Sequence, residues 1–319
     1  MADLALRPLS LGELLDRALT VFRQRAGAIL TSVLAAMVVP LLMIANRVPR
    51  IMALVASLQA NPRDMEALRA GRDLLGGMLG IALVGAIGFL VARTAVAWIA
   101  HKSLLGDRTD AFEGLEKGVR FLPAMLGLML VEGLIYFAAM LVLYFVGALV
   151  VLGSLRSGAP PAALPLILWV LSIYGTMVFI TTGLYVTPSI LLAESGATVF
   201  GTVGRSFALT QGRRGTIFGG ILLVMLASMV VYFVVGFGAG MLVAGGGMDA
   251  ARMMPILFGA DVVVNILTVS FYFIFQMVIY YDLRIRKEGL DLDLAAEAPA
   301  AEAVPEVKPA RPSKPTERR

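Results

Sequence analysis

Residues 26–45, AGAILTSVLAAMVVPLLMIA, carry no charged side chain across 20 positions. At 1.5 Å per residue, a helix of that length is about 30 Å long, which matches the hydrocarbon core of a bilayer. Outward from this stretch, five more apolar runs follow at 74–100, 123–155, 165–193, 215–244 and 254–281. Charge enters them only as Arg93 in the second, Glu132 in the third and Asp261 in the sixth. The pattern predicts an all-α polytopic membrane bundle of about six transmembrane helices. The third run exceeds what a bilayer needs and is expected to tilt or protrude. Pro188 is expected to kink or end the fourth.

Composition points the same way. Of 319 residues, 59% are hydrophobic and 15% charged, whereas soluble domains have about 45–50% and about 25%. Mean hydropathy is +0.85. The chain has no cysteine and one histidine, His101, which excludes disulfide frameworks, thiolate chemistry and most metal-ligand sets. No Walker lysine, H-E-x-x-H or G-x-S-x-G is present, and Gly236-x-Gly238-x-Gly240 lies inside an apolar run with no preceding strand. The expectation is therefore a non-enzyme with no catalytic residues, no metal and no cofactor. The net charge of +5 is not gathered into a basic stripe on a soluble face, so nucleic acid is not an expected partner. Met1 to Ser10 lacks the pattern of a cleaved signal, and insertion is expected to start from an uncleaved first span.

The polar segments between the spans hold amphipathic stretches. Over 11–25, Leu11, Leu14, Leu15, Ala18, Leu19 and Phe22 recur at helical spacing behind a Ser10–Glu13 capping box. Segments 110–121, opening on Asp110 and Glu113, and 196–211 read similarly, and all three are expected to lie at the membrane surface. The layout reads as threefold, a surface helix followed by a pair of spans. The odd-numbered spans begin near Ala26, Pro123 and Gly215, 97 and 92 residues apart. The integral domain is expected over 1–290. The Ala/Pro/Glu and Pro/Lys/Arg composition of 291–319 predicts a disordered cytoplasmic tail.

Orientation follows from lysine and arginine. With the N-terminus inside, inner segments carry nineteen and outer segments seven, which favours both termini in the cytoplasm. Segment 47–73 is discordant, because its five arginines would lie outside.

Ionisable groups inside spans are costly and are candidate functional residues. Arg93 and Glu132 lie about eight and nine residues from the inner ends of their spans, both roughly 12–14 Å deep, which predicts an ion pair. Asp261 and Asn265 share a helix face four residues apart and form a second intramembrane polar candidate. Arg17, Pro188, Glu194, Arg205 and Arg213 are candidates at the interface. His101 reads as a solvated flank. Locking of helix packing competes with a substrate or proton site at each intramembrane position.

Three stretches carry a family resemblance: Arg7-Pro8-Leu9-Ser10-Leu11-Gly12-Glu13-Leu14-Leu15-Asp16-Arg17-Ala18; Thr187-Pro188 with Glu194, Arg205-Ser206-Phe207-Ala208-Leu209-Thr210 and Arg213; and Tyr280-Tyr281-Asp282-Leu283-Arg284-Ile285-Arg286-Lys287-Glu288-Gly289. Together they resemble a family of bacterial membrane proteins named for the glycerophosphoryl diester phosphodiesterase membrane domain. Phe207 occupies the aromatic position of that family's P…E…RSW-LT-GR stretch, a mild departure. The resemblance covers about residues 5–290 and implies a membrane module. It does not carry the catalytic label, because the region after Tyr281 is short and one histidine cannot supply the expected metal ligands. The resulting expectation is a non-catalytic module of the bacterial inner membrane that organises lipids or partner proteins. Membrane lipids, a membrane protein or a second copy are its expected partners, and the alternative is a small-solute or lipid transporter.

Overall fold

The computed structural model describes residues 8–61, 65–157, 163–245 and 250–290. The expected tail over 291–319 lies outside the described residues. Among them the structure is helical: α1 (Leu11–Ala45), α2 (Val48–Ala60), α3 (Met65–Leu104), α4 (Ala111–Ser157), α5 (Ala163–Gly183), α6 (Thr187–Ala193), α7 (Val199–Thr210), α8 (Arg214–Ala244) and α9 (Ala250–Glu288). Six segments are long and apolar enough to cross a membrane, lying within Leu11–Leu58, Arg69–Leu104, Ala111–Gly153, Leu164–Ala193, Arg214–Leu242 and Pro255–Glu288. The chain is an all-α, multi-pass membrane bundle.

Two of the three expected surface helices are not separate elements. Segment 11–25 runs without a break into the first span as the 35-residue α1. No helix-breaking pair divides them, and one buried face (Leu14, Ala18, Val21, Ile29, Val33) continues through the junction. Segment 110–121 likewise continues into the 47-residue α4, straight through Pro123. Only the third stands alone, as α7, which stops at Gln211 and Gly212, the latter with φ +81°. What recurs is a side-chain cap at each entry. Ser10 and Glu13 form a reciprocal box on α1. The Glu113 N–H donates to Asp110 at 2.9 Å, and the Gly201 N–H donates to Thr198 at 3.1 Å.

Small residues set the helix spacing. A Cβ on Gly88 of α3 would stand 2.6 Å from the Ala36 carbonyl oxygen of α1, and one on Gly118 of α4 would stand 2.7 Å from the Val91 carbonyl oxygen of α3. These backbones approach as closely as glycine allows, which is how helices gain packing energy in lipid. Half of the most apolar window of α9 is buried, against 6% in α4 and in α5. The last helix is therefore the centre of the bundle, through Phe275, Met277 and Tyr280, while α4 and α5 show Leu130, Leu134, Phe137 and Leu168 outward.

One end of the bundle gathers Leu9, the α3–α4 turn, Glu194, Arg213 and the close of α9, through bonds given below. Each span starts or ends there. The described part of segment 47–73 falls at the other end, where α2 packs on α3 and the Arg47 guanidinium covers Gly77. This same-end arrangement agrees with the expected alternation of spans.

Candidate functional site

Span four unwinds before Pro188. A proline lacks an N–H and fits the first turn of a helix, so Pro188 starts α6 instead of kinking a continuous one. Helix α5 stops at Gly183, five residues earlier, and Leu184 to Val186 are non-helical. A helix end leaves carbonyls without intrahelical partners, and within a membrane each needs a protein donor. Here the carbonyls from Gly183 to Val186 are each supplied. The Ser206 hydroxyl of α7 donates to the Gly183 carbonyl at 2.7 Å. The Thr187 hydroxyl donates to Leu184 at 2.7 Å, the Gln276 side chain of α9 donates to Tyr185, and the Ile190 N–H donates to Val186 at 3.0 Å. The aromatic ring of Phe207 fills the space beside Gly183 where a Cβ would stand.

Around this break lie the intramembrane charges. Glu132 of α4 accepts a short hydrogen bond from the Thr187 hydroxyl. Tyr136, one turn along α4, bonds Thr181 of α5 at 3.0 Å. Tyr185 and Tyr272 meet edge to face at 5.6 Å. Arg93 of α3 places its guanidinium 5.7 Å from the centre of the Phe273 ring. The expected Arg93–Glu132 ion pair is not formed within 4 Å, and the carboxylate takes the Thr187 hydroxyl instead. The Arg93 Nε is buried without a hydrogen-bond partner among the described residues.

Asp261 and Asn265 stand apart from this cluster. Asn265 donates to the Asp261 carboxylate at 3.4 Å and to its carbonyl at 3.3 Å. Both are exposed, and they line a largely apolar cavity of about 260 Å³ with Met37, Leu41 and Phe89. Three other cavities lie beside α2 and α3 (Arg47, Arg50, Asp73), at the α7–α8 turn (Gln211, Gly212, Arg214) and between α8 and α9 (Ser228, Tyr232, Thr268). None of these four is lined by Arg93 or Glu132.

Three of the interfacial candidates, Glu194, Arg205 and Arg213, converge on the last turns of α9. Arg205 of α7 pairs with Glu194 through its Nε and with Glu288 at 2.9 Å. Burial works against the Arg205 charge, but Glu194 and then Glu288 hold its pKa above the ordinary arginine value. The Tyr280 phenol donates to Glu194 at 2.9 Å, Arg284 pairs with Glu288 at 2.8 Å, and the Lys287 ammonium donates to the Ala208 carbonyl at 2.6 Å. Asp282, 4% exposed on its side chain, accepts the Leu9 N–H at 2.8 Å and pairs with Arg286 at 2.9 Å, with Arg213 at 3.9 Å. Arg286 returns to the Leu9 carbonyl at 2.6 Å. Pro188 is buried in α6 and Arg17 is buried in α1.

His101 is not a solvated flank. It lies between the rings of Trp98 and Tyr281 and shares a 2.8 Å hydrogen bond with the Tyr281 phenol, because the close of α9 covers the end of α3. Glu194, Arg205 and Arg213 are expected from the sequence, whereas their anchors Asp282 and Tyr280 are not. Gln276 is a further addition, and its amide in an apolar span is the signal that marks it. No family model, no curated protein and no solved structure matches this chain.

Proposed function

We propose that this chain is a non-catalytic module of the bacterial cytoplasmic membrane that organises lipids or partner proteins at the face bearing both ends of the described chain. The carrying observation is the pair of unburied aromatic side chains there. Phe112 on the first turn of α4 and Phe200 on the first turn of α7 are 76% and 78% exposed. Each stands beside a capped helix start, on the face that also carries the Arg205–Glu194 and Arg286–Asp282 ion pairs. Aromatic rings at that level suit the headgroup boundary, where one side of the ring meets acyl chain and the other meets water. The contact of Glu132 with Thr187 and the packing of Arg93 over Phe273 support a structural reading of the intramembrane charges over a solute path. The excess of lysine and arginine on the termini side supports a cytoplasmic placement of that face.

The test uses the absence of native cysteine. Phe112→Cys and Phe200→Cys are each spin-labelled in liposomes, and oxygen and a water-soluble nickel complex are compared as relaxants. Preferential relaxation by oxygen at both sites is expected. Preferential relaxation by nickel at both, together with no protein crosslink to this face in native membranes, removes the reading.

One observation favours the transporter alternative. Discontinuous helices with unpartnered polar groups line solute sites in carriers, and the Arg93 Nε is buried without a hydrogen-bond partner near such a break. Labelling of Tyr185→Cys from both sides of sealed vesicles would support that reading, and labelling from neither would count against it.

A further inference from the structure

We infer that Arg214 holds the phosphate of an anionic phospholipid in the cavity at the α7–α8 turn. This inference deepens the lipid-organising reading and rests on it.

Three observations meet at this residue. The first is an uncompensated charge. Arg205, Arg213, Arg284 and Arg286 on the same face each have a carboxylate within 4 Å. Arg214 has none among the described residues. A guanidinium left without an anion at a low-dielectric boundary is expensive unless the missing anion comes from outside the chain.

The second is orientation. The Arg214 guanidinium lies 3.9 Å from the centre of the Phe179 ring and 5.3 Å from that of Phe207. Such a stack satisfies the face of the cation but not its N–H groups, which lie in the guanidinium plane. A phosphate accepts two such bonds side by side, which a planar fork supplies better than an ammonium does. The opening beside it is a cavity of about 490 Å³ lined by Phe179, Phe207, Ala208, Gln211, Gly212 and Arg214. Gln211 and Gly212 are exposed at its rim.

The third is depth. Gly220 of α8 packs against the Phe275 ring of α9. Helices α8 and α9 run in opposite directions, so Arg214, six residues before Gly220, lies level with Tyr281, six residues after Phe275. Tyr281 closes the apolar run of the last span, so the Arg214 backbone sits at the headgroup level. The exposed Phe179 and Phe218 flank a path for acyl chain. A lipid with its phosphate on Arg214 and its chain along these rings satisfies both halves of the cavity. A free phosphate satisfies only one.

The full-length protein is reconstituted into phosphatidylglycerol and phosphatidylcholine nanodiscs, and retained lipid is counted by native mass spectrometry after extraction. Wild type is expected to retain phosphatidylglycerol in preference, and Arg214→Gln to lose that retention about tenfold. Arg156→Gln, a change at the opposite end, is expected to leave it intact. Gln211→Glu alters only an exposed rim residue. It should abolish the preference too, since the new carboxylate pairs with Arg214 or repels phosphate. Wild-type preference that survives both Arg214→Gln and Gln211→Glu overturns the Arg214 assignment alone. If wild type shows no preference between the two lipids, the lipid-organising reading fails with it. Equal thermal stabilisation by soluble glycerol phosphate also overturns the assignment, because the ligand would then be a small anion and not a lipid.

Discussion

The Ser206 hydroxyl donates to the Gly183 carbonyl at 2.7 Å, fastening an amphipathic helix to the point where a membrane span unwinds. The bond is buried, so its loss leaves a carbonyl that water cannot reach. Ser206→Ala should cost about 1–3 kcal/mol of stability, seen as a lower melting temperature in detergent. An unchanged melting temperature would mean that the unwound segment is held by Gln276 and Thr187 alone.

The close approach of α3 and α4 at Gly118 predicts a sharp contrast between two glycines of the same helix. Gly118→Ala puts a methyl against the Val91 carbonyl and should destabilise by about 1–3 kcal/mol. Gly133→Ala meets nothing within 4 Å and should be neutral, or stabilising by up to about 1 kcal/mol through helix propensity. Equal effects in a denaturation series would contradict the packing described.

Arg93 and Glu132 bear opposite charges around one polar cluster without touching, so their energies should be coupled but not those of a closed pair. Arg93→Met and Glu132→Gln should together cost less than the sum of the single changes, with a coupling of about 0.5–3 kcal/mol. Strict additivity would show that the two sites are independent.

Much of this architecture was legible in the sequence, because span length and charge exclusion are set by the bilayer. The six runs from 26–45 to 254–281 fall on the six long apolar segments, although the first and third of these, Leu11–Leu58 and Ala111–Gly153, start well before the apolar runs do. Ser10 and Glu13 were readable for the same reason, since a capping box is local. The join of 11–25 to α1 was not, because an amphipathic segment before a span looks alike whether the helix bends or runs on. Nor were the partners of Glu132 and Asp282. Thr187 and Leu9 are distant in the chain, and periodicity does not report which faces meet.

Topology can be tested without interference from native thiols. Arg108→Cys and Ser195→Cys lie exposed at the end shared with Leu9, and Arg50→Cys is exposed at the other. A membrane-impermeant maleimide added to intact spheroplasts should label position 50 and spare 108 and 195 until lysis. Labelling of all three from outside would require a different span count. The inverse pattern would reverse the orientation and keep the fold.

Asp282 is the most heavily used carboxylate at that end, accepting from Leu9 and pairing with Arg286. Asp282→Ala should cost about 2–3 kcal/mol, with faster amide exchange at Leu9 and Ser10 as the specific signature. Unaltered exchange there would show that the Leu9 segment is held by Arg286 alone.

The bond between Leu9 and Asp282 spans 273 positions, which gives it a meaning in time as well as in space. During synthesis the opening segment emerges long before its acceptor exists. The first helix therefore waits through five further membrane entries before its N-terminal end can be fixed. Completion of the last span then closes the chain into a ring and provides, in the same step, the anchors for Glu194, Arg205 and His101. A nascent chain that stalls before residue 280 should lack the anchors on Glu194, His101 and Leu9 together. Release of that single helix is thus the event that separates an assembled protein from an inserted one.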